Sequence, residues 1–383
     1  MPVIEPATAE DAARALGEAA AAKQRVLVRG GGTKVSWGRT PAMADVVLST
    51  RGLARLVAHA DGDLTATVEA GMPLSALNAE LAKRGQWLPV ESAFDAATVG
   101  GILATNDSGP LSHRFGTPRD LVIGVTLATT NGRIVRAGGK VVKNVAGYDL
   151  GKLVAGSFGN LAVIVDATFK LWPRPAASAT RRFGFGAIAD AAGAVSALQS
   201  APIEPCALEI AHDASSTEVL LRFASSSQTS VDAQAAAAER LVPGARVRHM
   251  SGEEEEDVWT RHRLRPWEGE GAVLSLAWLP ANTAAVLEAI RELAGADAEF
   301  VARAAAGRGL LRTTAPSAGV VSLTTALRKR TDLFHHVTVL RADEATKAAI
   351  DVWPDAGSCA SLFAAVKRSF DPSNTLNTGR GPL

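Results

Sequence analysis

The order of apolar and polar positions divides the first part of the chain into short helices and strands. An Ala-rich stretch at residues 8–23 has the period of a helix, and the strand-like run at residues 25–29 ends at three successive glycines. A second helix is predicted to begin at Pro73, whose fixed φ suits the first helical position, and to end near Gly85.

Residues 89–120 lack a sustained period and are rich in Gly, Ser, Thr and Asn, so we predict a long functional loop there. Two β-rich runs then flank Asn131-Gly132, a dipeptide that supplies both positive φ angles of a tight hairpin turn. An apolar strand at residues 161–171 follows, and two prolines close it. These prolines mark the end of a first domain, residues 1–175.

The pattern changes after this boundary. Between residues 176 and 345, strand-like runs are interleaved with Ala-rich helices, which predicts an α+β domain on an antiparallel sheet. The acidic run at residues 253–256 lies within this domain and is predicted to be a solvated face. A C-terminal segment, residues 346–383, contains a predicted helix at residues 358–370.

Composition narrows the class of protein. Of the 383 residues, 47% are hydrophobic and 21% are charged, which is typical of a globular protein with roughly two or three domains. The formal net charge of +1 gives no overall field that would attract nucleic acid or anionic lipid. The two cysteines, Cys206 and Cys359, are too few and too far apart for an iron–sulfur cluster, a zinc ribbon or a disulfide framework within the chain.

A glycine-rich run follows the first buried strand. Gly30, Gly31 and Gly32 let successive backbone N–H groups converge on one point, which can hold a pyrophosphate, and Arg29 and Lys34 can supply positive charge. A tight turn is the alternative interpretation. The run lacks the G-x-G-x-x-G and G-x-x-x-x-G-K-[ST] patterns, which argues against Rossmann and Walker nucleotide sites.

Two later segments also combine glycines with short polar residues. In the first, paired glycines permit close backbone approach to a flat ligand, while Thr, Asn and Ser can bind its heteroatoms. Its members are Thr98, Gly100, Gly101, Thr105, Asn106, Ser108, Gly109, Arg114 and Gly116. The second covers residues 139–150 and 156–161 and contains Tyr148, the one tyrosine of the chain, for which a packing role is the alternative.

In this order and spacing, the three segments resemble the FAD-binding domain of the vanillyl-alcohol-oxidase or PCMH flavoprotein superfamily. The resemblance is greatest to the FAD-binding E subunits of bacterial glycolate oxidases, which are related to D-lactate dehydrogenase-type enzymes. It covers about the first 175 residues and residues 370–380 at the C-terminus. It implies an α+β protein with a two-lobed PCMH-type FAD-binding domain and a reduced α+β cap domain on an antiparallel sheet.

In such proteins the first two segments hold the pyrophosphate, the G-S-F-G-N-L segment meets the adenine and ribose end, and the terminal Asn-x-Gly-Arg lies near the flavin ring. The cofactor-binding residues that the resemblance implies are Arg29, Gly30, Gly31, Gly32, Thr33, Lys34, Thr98, Gly100, Gly101, Thr105, Asn106, Ser108, Gly109, Arg114, Gly116, Gly159, Leu161, Ile164 and Asn377.

Three positions depart from the family pattern. Covalent members have a His where this chain has Thr33, so FAD is expected to bind without a covalent bond. Asn160 replaces the usual Thr and Thr378 replaces the usual Pro, which affects the contacts expected at those two positions.

Catalysis is the part that the sequence predicts least. Oxidation of a 2-hydroxy acid needs a base for the hydroxyl proton, a cation for the carboxylate and the flavin as hydride acceptor. The H-x-G-D-G-N-x-H motif of catalytic relatives is absent, and His335 and His336 are adjacent on a strand and point to opposite faces, so no metal site is predicted. The candidates are Arg261, Arg263 and His335, against the simpler interpretations of a basic surface loop and a structural histidine.

The resemblance implies the FAD-binding subunit of a glycolate oxidase complex that oxidises glycolate to glyoxylate, with a homologous flavoprotein subunit and an iron–sulfur subunit as partners. A self-sufficient FAD-dependent 2-hydroxy-acid dehydrogenase and a non-catalytic scaffold subunit without FAD stay open as alternatives. The start of the chain lacks the basic region of a signal peptide, and no apolar stretch reaches the roughly 20 residues that cross a bilayer. We therefore expect a cytoplasmic protein that meets a membrane only through its complex.

Overall fold

A computed structural model describes residues 1–140, 147–295 and 298–382, so residues 141–146 of the predicted third glycine-rich segment lie outside the described residues. The strands are β1 (Val3–Ile4), β2 (Val26–Arg29), β3 (Val46–Ser49), β4 (Leu56–Ala60), β5 (Thr65–Glu69), β6 (Gln86–Trp87), β7 (Val122–Ala128), β8 (Ile134–Gly138), β9 (Val163–Lys170), β10 (Trp172–Pro173), β11 (Ala177–Phe185), β12 (Ala207–His212), β13 (Thr217–Ser225), β14 (Arg246–Met250), β15 (Ala272–Trp278), β16 (Glu299–Arg303), β17 (Arg308–Thr313) and β18 (Phe334–Arg341). The helices are α1 (Ala9–Ala21), α2 (Leu74–Ala82), α3 (Val99–Thr105), α4 (Ser112–Phe115), α5 (Pro118–Leu121), α6 (Leu150–Val154), α7 (Ile188–Ser200), α8 (Gln228–Leu241), α9 (Gly252–Leu264), α10 (Thr283–Ala294), α11 (Ser317–Lys329), α12 (Glu344–Ala349) and α13 (Ala360–Phe370).

The chain divides into two units. The first, called here the N-terminal unit, comprises Met1–Ser108, Phe115–Arg174 and Asp355–Leu383. The second, the central unit, comprises Gly109–Arg114 and Pro175–Pro354. The short insertion of residues 109–114 into the central unit has no counterpart in the predicted boundaries.

The N-terminal unit contains two larger sheets, as expected for a two-lobed domain. A parallel sheet has the order β1-β3-β2, and an antiparallel sheet has the order β4-β5-β9-β7-β8. Helix α1 begins where the Thr8 side chain accepts a hydrogen bond from the Asp11 N–H, and it buries Ala12, Leu16 and Ala19 in the core. The helix predicted at residues 8–23 is therefore confirmed.

The predicted hairpin around Asn131 is also confirmed, since β7 pairs with β8 in antiparallel register. The predicted turn geometry is wrong. Among the turn residues only Gly132 has a positive φ, of 74°, and Thr129 and Arg133 close a loop longer than two residues through the Thr129 N–H and the Arg133 carbonyl.

The prediction that residues 89–120 are entirely loop is wrong, because α3, α4 and α5 lie within them. Helix α3 has seven residues, two of which are adjacent glycines. It is therefore too short, and too poor in residues that favour helices, to be predicted from its period. Tertiary packing stabilises it, since Val99, Ile102 and Leu103 are buried.

The central unit is built on one antiparallel sheet of eight strands in the order β14-β11-β13-β12-β16-β17-β15-β18, which confirms the predicted α+β architecture. The prediction that the acidic run at residues 253–256 is a solvated face is wrong at one position. Glu255 is 1% exposed and accepts hydrogen bonds from the Ser178 and Thr180 hydroxyls, while its three neighbours are exposed. Across the described ranges, none of the helices is long and apolar enough to cross a membrane.

Candidate functional site

A cleft in the N-terminal unit contains about 660 Å³ of space that protein atoms do not occupy, part of which is open to solvent. Its walls come from the end of β2 with the glycine loop that follows, from α3, from the loop before β9 and from the C-terminal segment. Four segments that are distant in sequence therefore meet at one place.

The glycine loop packs so closely against residues 96–98 that side chains cannot fit between them. A Cβ atom at Gly30 would collide with Thr98 Oγ1, and one at Gly31 would collide with the Ala96 carbonyl oxygen. Gly32 has a φ of 78°, in the left-handed region that glycine adopts without strain. Gly30 and Gly31 therefore require glycine because two protein segments pack closely, a reason that differs from the predicted convergence of N–H groups on a pyrophosphate.

Thr98 provides a polar group that faces the cleft without a protein partner. Its side chain is 3% exposed and lines the cleft, and Thr98 Oγ1 makes no hydrogen bond to any described residue. Buried hydroxyls are nearly always hydrogen-bonded, so this oxygen is suited to a polar ligand.

Gly101 provides the free space beside that hydroxyl. A Cβ atom at Gly101 would have only Thr98 Oγ1 within 4 Å among the described residues, so a side chain there would extend into the cleft. At neighbouring Gly100 a Cβ atom would instead lie 2.6 Å from the Ala70 side chain, so this glycine permits close packing of α3.

Lys34 lines the cleft, but its ammonium group already has a partner. Lys34 Nζ lies 3.0 Å from Asp107 Oδ2, and it lies 5.7 Å and 5.3 Å from the ring centres of Trp37 and Phe94. The side chain is 5% exposed, so its charge is largely neutralised within this aromatic enclosure. Arg29, by contrast, is exposed at the edge of the glycine loop.

The C-terminal segment connects two walls of the cleft. The Val28 N–H donates to Asn377 Oδ1 at 2.9 Å, and Asn377 Nδ2 donates to the Phe158 carbonyl at 2.7 Å. Arg380 donates to the Lys34 carbonyl and lies 5.7 Å from the Phe158 ring centre, and burial lowers the pKa of Arg380 to about 10. These bonds hold the glycine loop and the loop before β9 in fixed positions.

The structure brings thirteen of the nineteen predicted cofactor residues to the cleft. They are Arg29, Gly30, Gly31, Gly32, Thr33, Lys34, Thr98, Gly100, Gly101, Thr105, Gly159, Ile164 and Asn377. Sequence reasoning missed further lining residues, namely Val28, Val35, Thr50, Ala70, Ala104, Phe158, Ala162 and Arg380. Of these, Arg380 had a signal, because it belongs to the terminal Asn-x-Gly-Arg motif.

The other six predicted residues do not line this cleft. Asn106 caps α3 in the left-handed conformation and accepts a hydrogen bond from the Arg119 N–H. Leu161 is completely buried in the core, and Ser108 and Gly116 lie elsewhere in the N-terminal unit. Gly109 and Arg114 belong to the central unit.

The three catalytic candidates lie in the central unit and do not form one group. Arg261 and Arg263 are on α9, where Arg261 Nε donates to the Asp257 carbonyl and Arg263 donates to Thr260 Oγ1. His335 is exposed on β18. Between the two arginines, His262 is buried and lies 3.1 Å from Glu209 Oε2, a contact that no sequence pattern predicts.

Comparison with known families identifies the fold around the cleft. Residues 2–138 match the family described as an FAD binding domain. An alkyldihydroxyacetonephosphate synthase has a similar structure, with a TM-score of 0.74, 16% identity, and coverage of 99% of this chain and 76% of that one. A chitooligosaccharide oxidase aligns with a TM-score of 0.70 and 15% identity over 100% of this chain and 92% of that one. At these identities the likeness shows the fold.

Curated relatives match part of the chain. A D-lactate dehydrogenase of Archaeoglobus fulgidus is 37% identical over 172 residues, which are 45% of this chain and 39% of that protein. Glycolate oxidase subunit GlcE of Escherichia coli is 36% identical over 169 residues, which are 44% of this chain and 48% of that protein. Glycolate oxidase subunit GlcD of Bacillus subtilis is 33% identical over 208 residues, which are 54% of this chain and 44% of that protein. The match thus spans less than half the length of each of these three relatives.

Proposed function

We propose that this chain, which carries an FAD-binding domain at residues 2–138, is the FAD-binding subunit of a glycolate oxidase complex that oxidises glycolate to glyoxylate. The observation that carries the proposal is the cleft of the N-terminal unit, where glycine backbone, the unpartnered Thr98 hydroxyl and the space beside Gly101 meet. The names of the relatives, glycolate oxidase subunits and D-lactate dehydrogenase, supply the substrate class.

The residues of the cleft fit the dinucleotide. The backbone N–H groups of residues 30–33 would hold its diphosphate, Thr98 Oγ1 would complete a hydrogen bond, and the exposed Arg29 would add positive charge. When bound, the flavin supplies a hydride acceptor for oxidation of the hydroxyl-bearing carbon. Ile164 and Ala162 add apolar surface to the same cleft, as most ligand sites require.

Attachment of the cofactor is expected to be non-covalent, because Thr33 lines the cleft at the position where covalent relatives have a histidine. Precipitation of the protein with acid tests this. We expect the yellow colour to stay in the supernatant, and a yellow pellet would contradict a non-covalent site.

The D-lactate dehydrogenase relative favours a second candidate, a self-sufficient FAD-dependent 2-hydroxy-acid dehydrogenase. Anaerobic mixing of the isolated protein with glycolate or D-lactate distinguishes the two. Bleaching of the visible flavin band in the isolated chain would favour the self-sufficient enzyme, and bleaching only in the presence of partner subunits would favour the complex.

The partners in this proposal are a homologous flavoprotein subunit and an iron–sulfur subunit. The two separated cysteines of this chain cannot hold a cluster by themselves, so electrons would leave through another subunit. Co-purification from the native source with flavin and iron analysis tests the assembly. We expect one flavin per copy of this chain and iron in the same complex, whereas a colourless chain that does not take up FAD would fit only a scaffold.

A further inference from the structure

A largely buried ion pair connects the glycine loop with the end of helix α3. Lys34 follows the three glycines, and Asp107 follows Asn106, the residue that caps α3. Lys34 Nζ lies 3.0 Å from Asp107 Oδ2, and the two side chains are 5% and 12% exposed. The pair therefore joins two of the segments that form the cleft, although these segments lie far apart in the sequence.

Ser92 connects this pair to a third segment. Ser92 Oγ donates to Asp107 Oδ2 at 2.7 Å, and it accepts hydrogen bonds of 3.4 Å from Lys34 Nζ and 3.3 Å from the Phe94 N–H. The Phe94 carbonyl in turn accepts a hydrogen bond of 3.0 Å from the N–H of Ala97, within the segment that packs against the glycine loop. The network thus includes both sides of that close packing.

The groups around the Lys34 ammonium lie outside the cleft. Lys34 Nζ lies 5.7 Å and 5.3 Å from the ring centres of Trp37 and Phe94, and these two rings pack edge to face with their centres 6.1 Å apart. Lys34 itself lines the cleft, but in the part of the chain that the structure describes Asp107, Ser92 and the two aromatic residues do not. The partners of the ammonium therefore lie behind the wall of the cleft.

Transfer of this ammonium to a phosphate of a ligand would leave the Asp107 carboxylate without its cation. Removal of one member of a buried ion pair is strongly destabilising, because the other charge loses its compensation. Arg29, at the opposite end of the glycine loop, is exposed and needs no such exchange. The charges therefore favour Arg29 rather than Lys34 as the cation for a diphosphate, and they leave Lys34 with a positional role.

We propose that Lys34 and Asp107 form a positioning pair: they fix the end of the glycine loop against the end of α3, and Lys34 does not bind the diphosphate. The inference rests on the proposed function, in which backbone N–H groups of the glycine loop hold the diphosphate. Asp107 is a positioning residue because it acts through Lys34 and Ser92. This role differs from the charge donation to a pyrophosphate that the sequence pattern predicts for Lys34.

The affinities of the full chain for FAD and for ADP, measured by calorimetry at low and high ionic strength, test this role. Lys34→Met and Asp107→Asn should each weaken both ligands by about tenfold. The double variant should bind as weakly as either single variant, because both substitutions break the same pair. A Lys34 that bound the diphosphate directly would behave differently, since Asp107→Asn would then release the ammonium and preserve or strengthen FAD binding.

Two further variants separate positioning from a purely structural role. Lys34→Arg keeps a cation between the aromatic rings and should retain most of the FAD affinity. Lys83→Met is the matched control, because Lys83 pairs with Glu80 at 2.7 Å on the surface of the same unit, and its FAD affinity should equal that of the native protein. The dependence of affinity on ionic strength should be the same in Lys34→Met as in the native protein, since Asp107 already neutralises the ammonium.

The unfolding midpoint of each variant is measured in parallel. A lower midpoint with native FAD affinity in folded Lys34→Met and Asp107→Asn would show a purely structural pair and overturn the inference. Tighter FAD binding by Asp107→Asn, or additive losses in the double variant, would also overturn it. If Lys34→Met does not fold, Asp107→Asn decides the test by the direction of its change. A native chain that binds neither FAD nor ADP contradicts the proposed function and the inference together, whereas native binding with unchanged variants contradicts the inference alone.

Discussion

The cleft of the N-terminal unit and the buried group of Glu209, His262 and Arg303 in the central unit are built from opposite kinds of residue. The cleft consists mainly of glycines and small polar residues, so its chemistry comes from backbone N–H groups and a single unpartnered hydroxyl. The second group consists of polar side chains on two strands and a helix, in which Glu209 contacts both His262 and Arg303. A cleft lined by backbone leaves a glycine pattern in the sequence, whereas a group of side chains far apart in sequence leaves none.

The largest effect is expected from filling the cleft. Gly101→Val places a branched side chain in the space beside Thr98, so FAD affinity should fall by at least about 100-fold while the fold remains. Fluorescence titration of the apoprotein with FAD measures this. Gly62→Ala is the matched control, because Gly62 has no atom within 4 Å of its Cβ position and does not line the cleft. Native affinity in Gly101→Val would contradict the assigned position of the cofactor.

The second effect concerns the connection between the walls of the cleft. Asn377→Gly keeps the positive φ but loses two buried hydrogen bonds, so the free energy of unfolding should fall by about 2 to 3 kcal/mol and FAD should bind more weakly. Asn374 also has a positive φ but is exposed, so Asn374→Gly should change stability by less than about 0.5 kcal/mol. Urea unfolding checks both variants, and equal losses would show that Asn377 acts only through its backbone.

The third effect is a difference in stability loss between substitutions of the two buried glutamates of the central unit, Glu255 and Glu209. Glu255→Gln should lower the free energy of unfolding by about 3 kcal/mol, because Arg222 at 3.1 Å and two hydroxyls depend on its charge. Glu209→Gln should cost about 1 kcal/mol, because one of its oxygens has no hydrogen bond to lose. Urea unfolding measures both variants, and a larger stability loss in Glu209→Gln than in Glu255→Gln would contradict this order.

The smallest effect is a pH dependence at the inserted segment. Burial lowers the pKa of His113 from its ordinary value of 6.5, against an opposing influence of Glu209 and together with that of Arg114. The unfolded chain then binds more protons than the folded one as the pH falls through the ordinary histidine range, so stability decreases in that direction. His113→Gln should reduce this slope, and the remainder includes His212, whose pKa burial also lowers. An unchanged slope would show that His113 does not contribute.

Much of the fold follows from local patterns. Helix α1 has a capping Thr8 and a buried apolar face, and the β7–β8 hairpin has a turn glycine, so both could be predicted. Helix α3 could not, because its stability comes from packing against Ala70 and the core rather than from its own seven residues.

The site shows the same limit. The glycine loop and the terminal Asn377 could be predicted from their motifs, but the ion pair of Lys34 with Asp107 joins residues that no local rule connects. The burial of Glu255 within an acidic run and the contact of His262 with Glu209 likewise depend on how α9 packs against β11 and β12. Side-chain partners that arise from tertiary structure lie beyond single-sequence reasoning.

The most direct test of the central claim is a crystal structure of the protein with FAD bound. The account predicts the diphosphate in the cleft, against the backbone N–H groups of residues 30–33, with a cofactor atom within hydrogen-bond distance of Thr98 Oγ1. A dinucleotide bound elsewhere, or a cleft that stays filled by protein side chains when FAD is present, would contradict it.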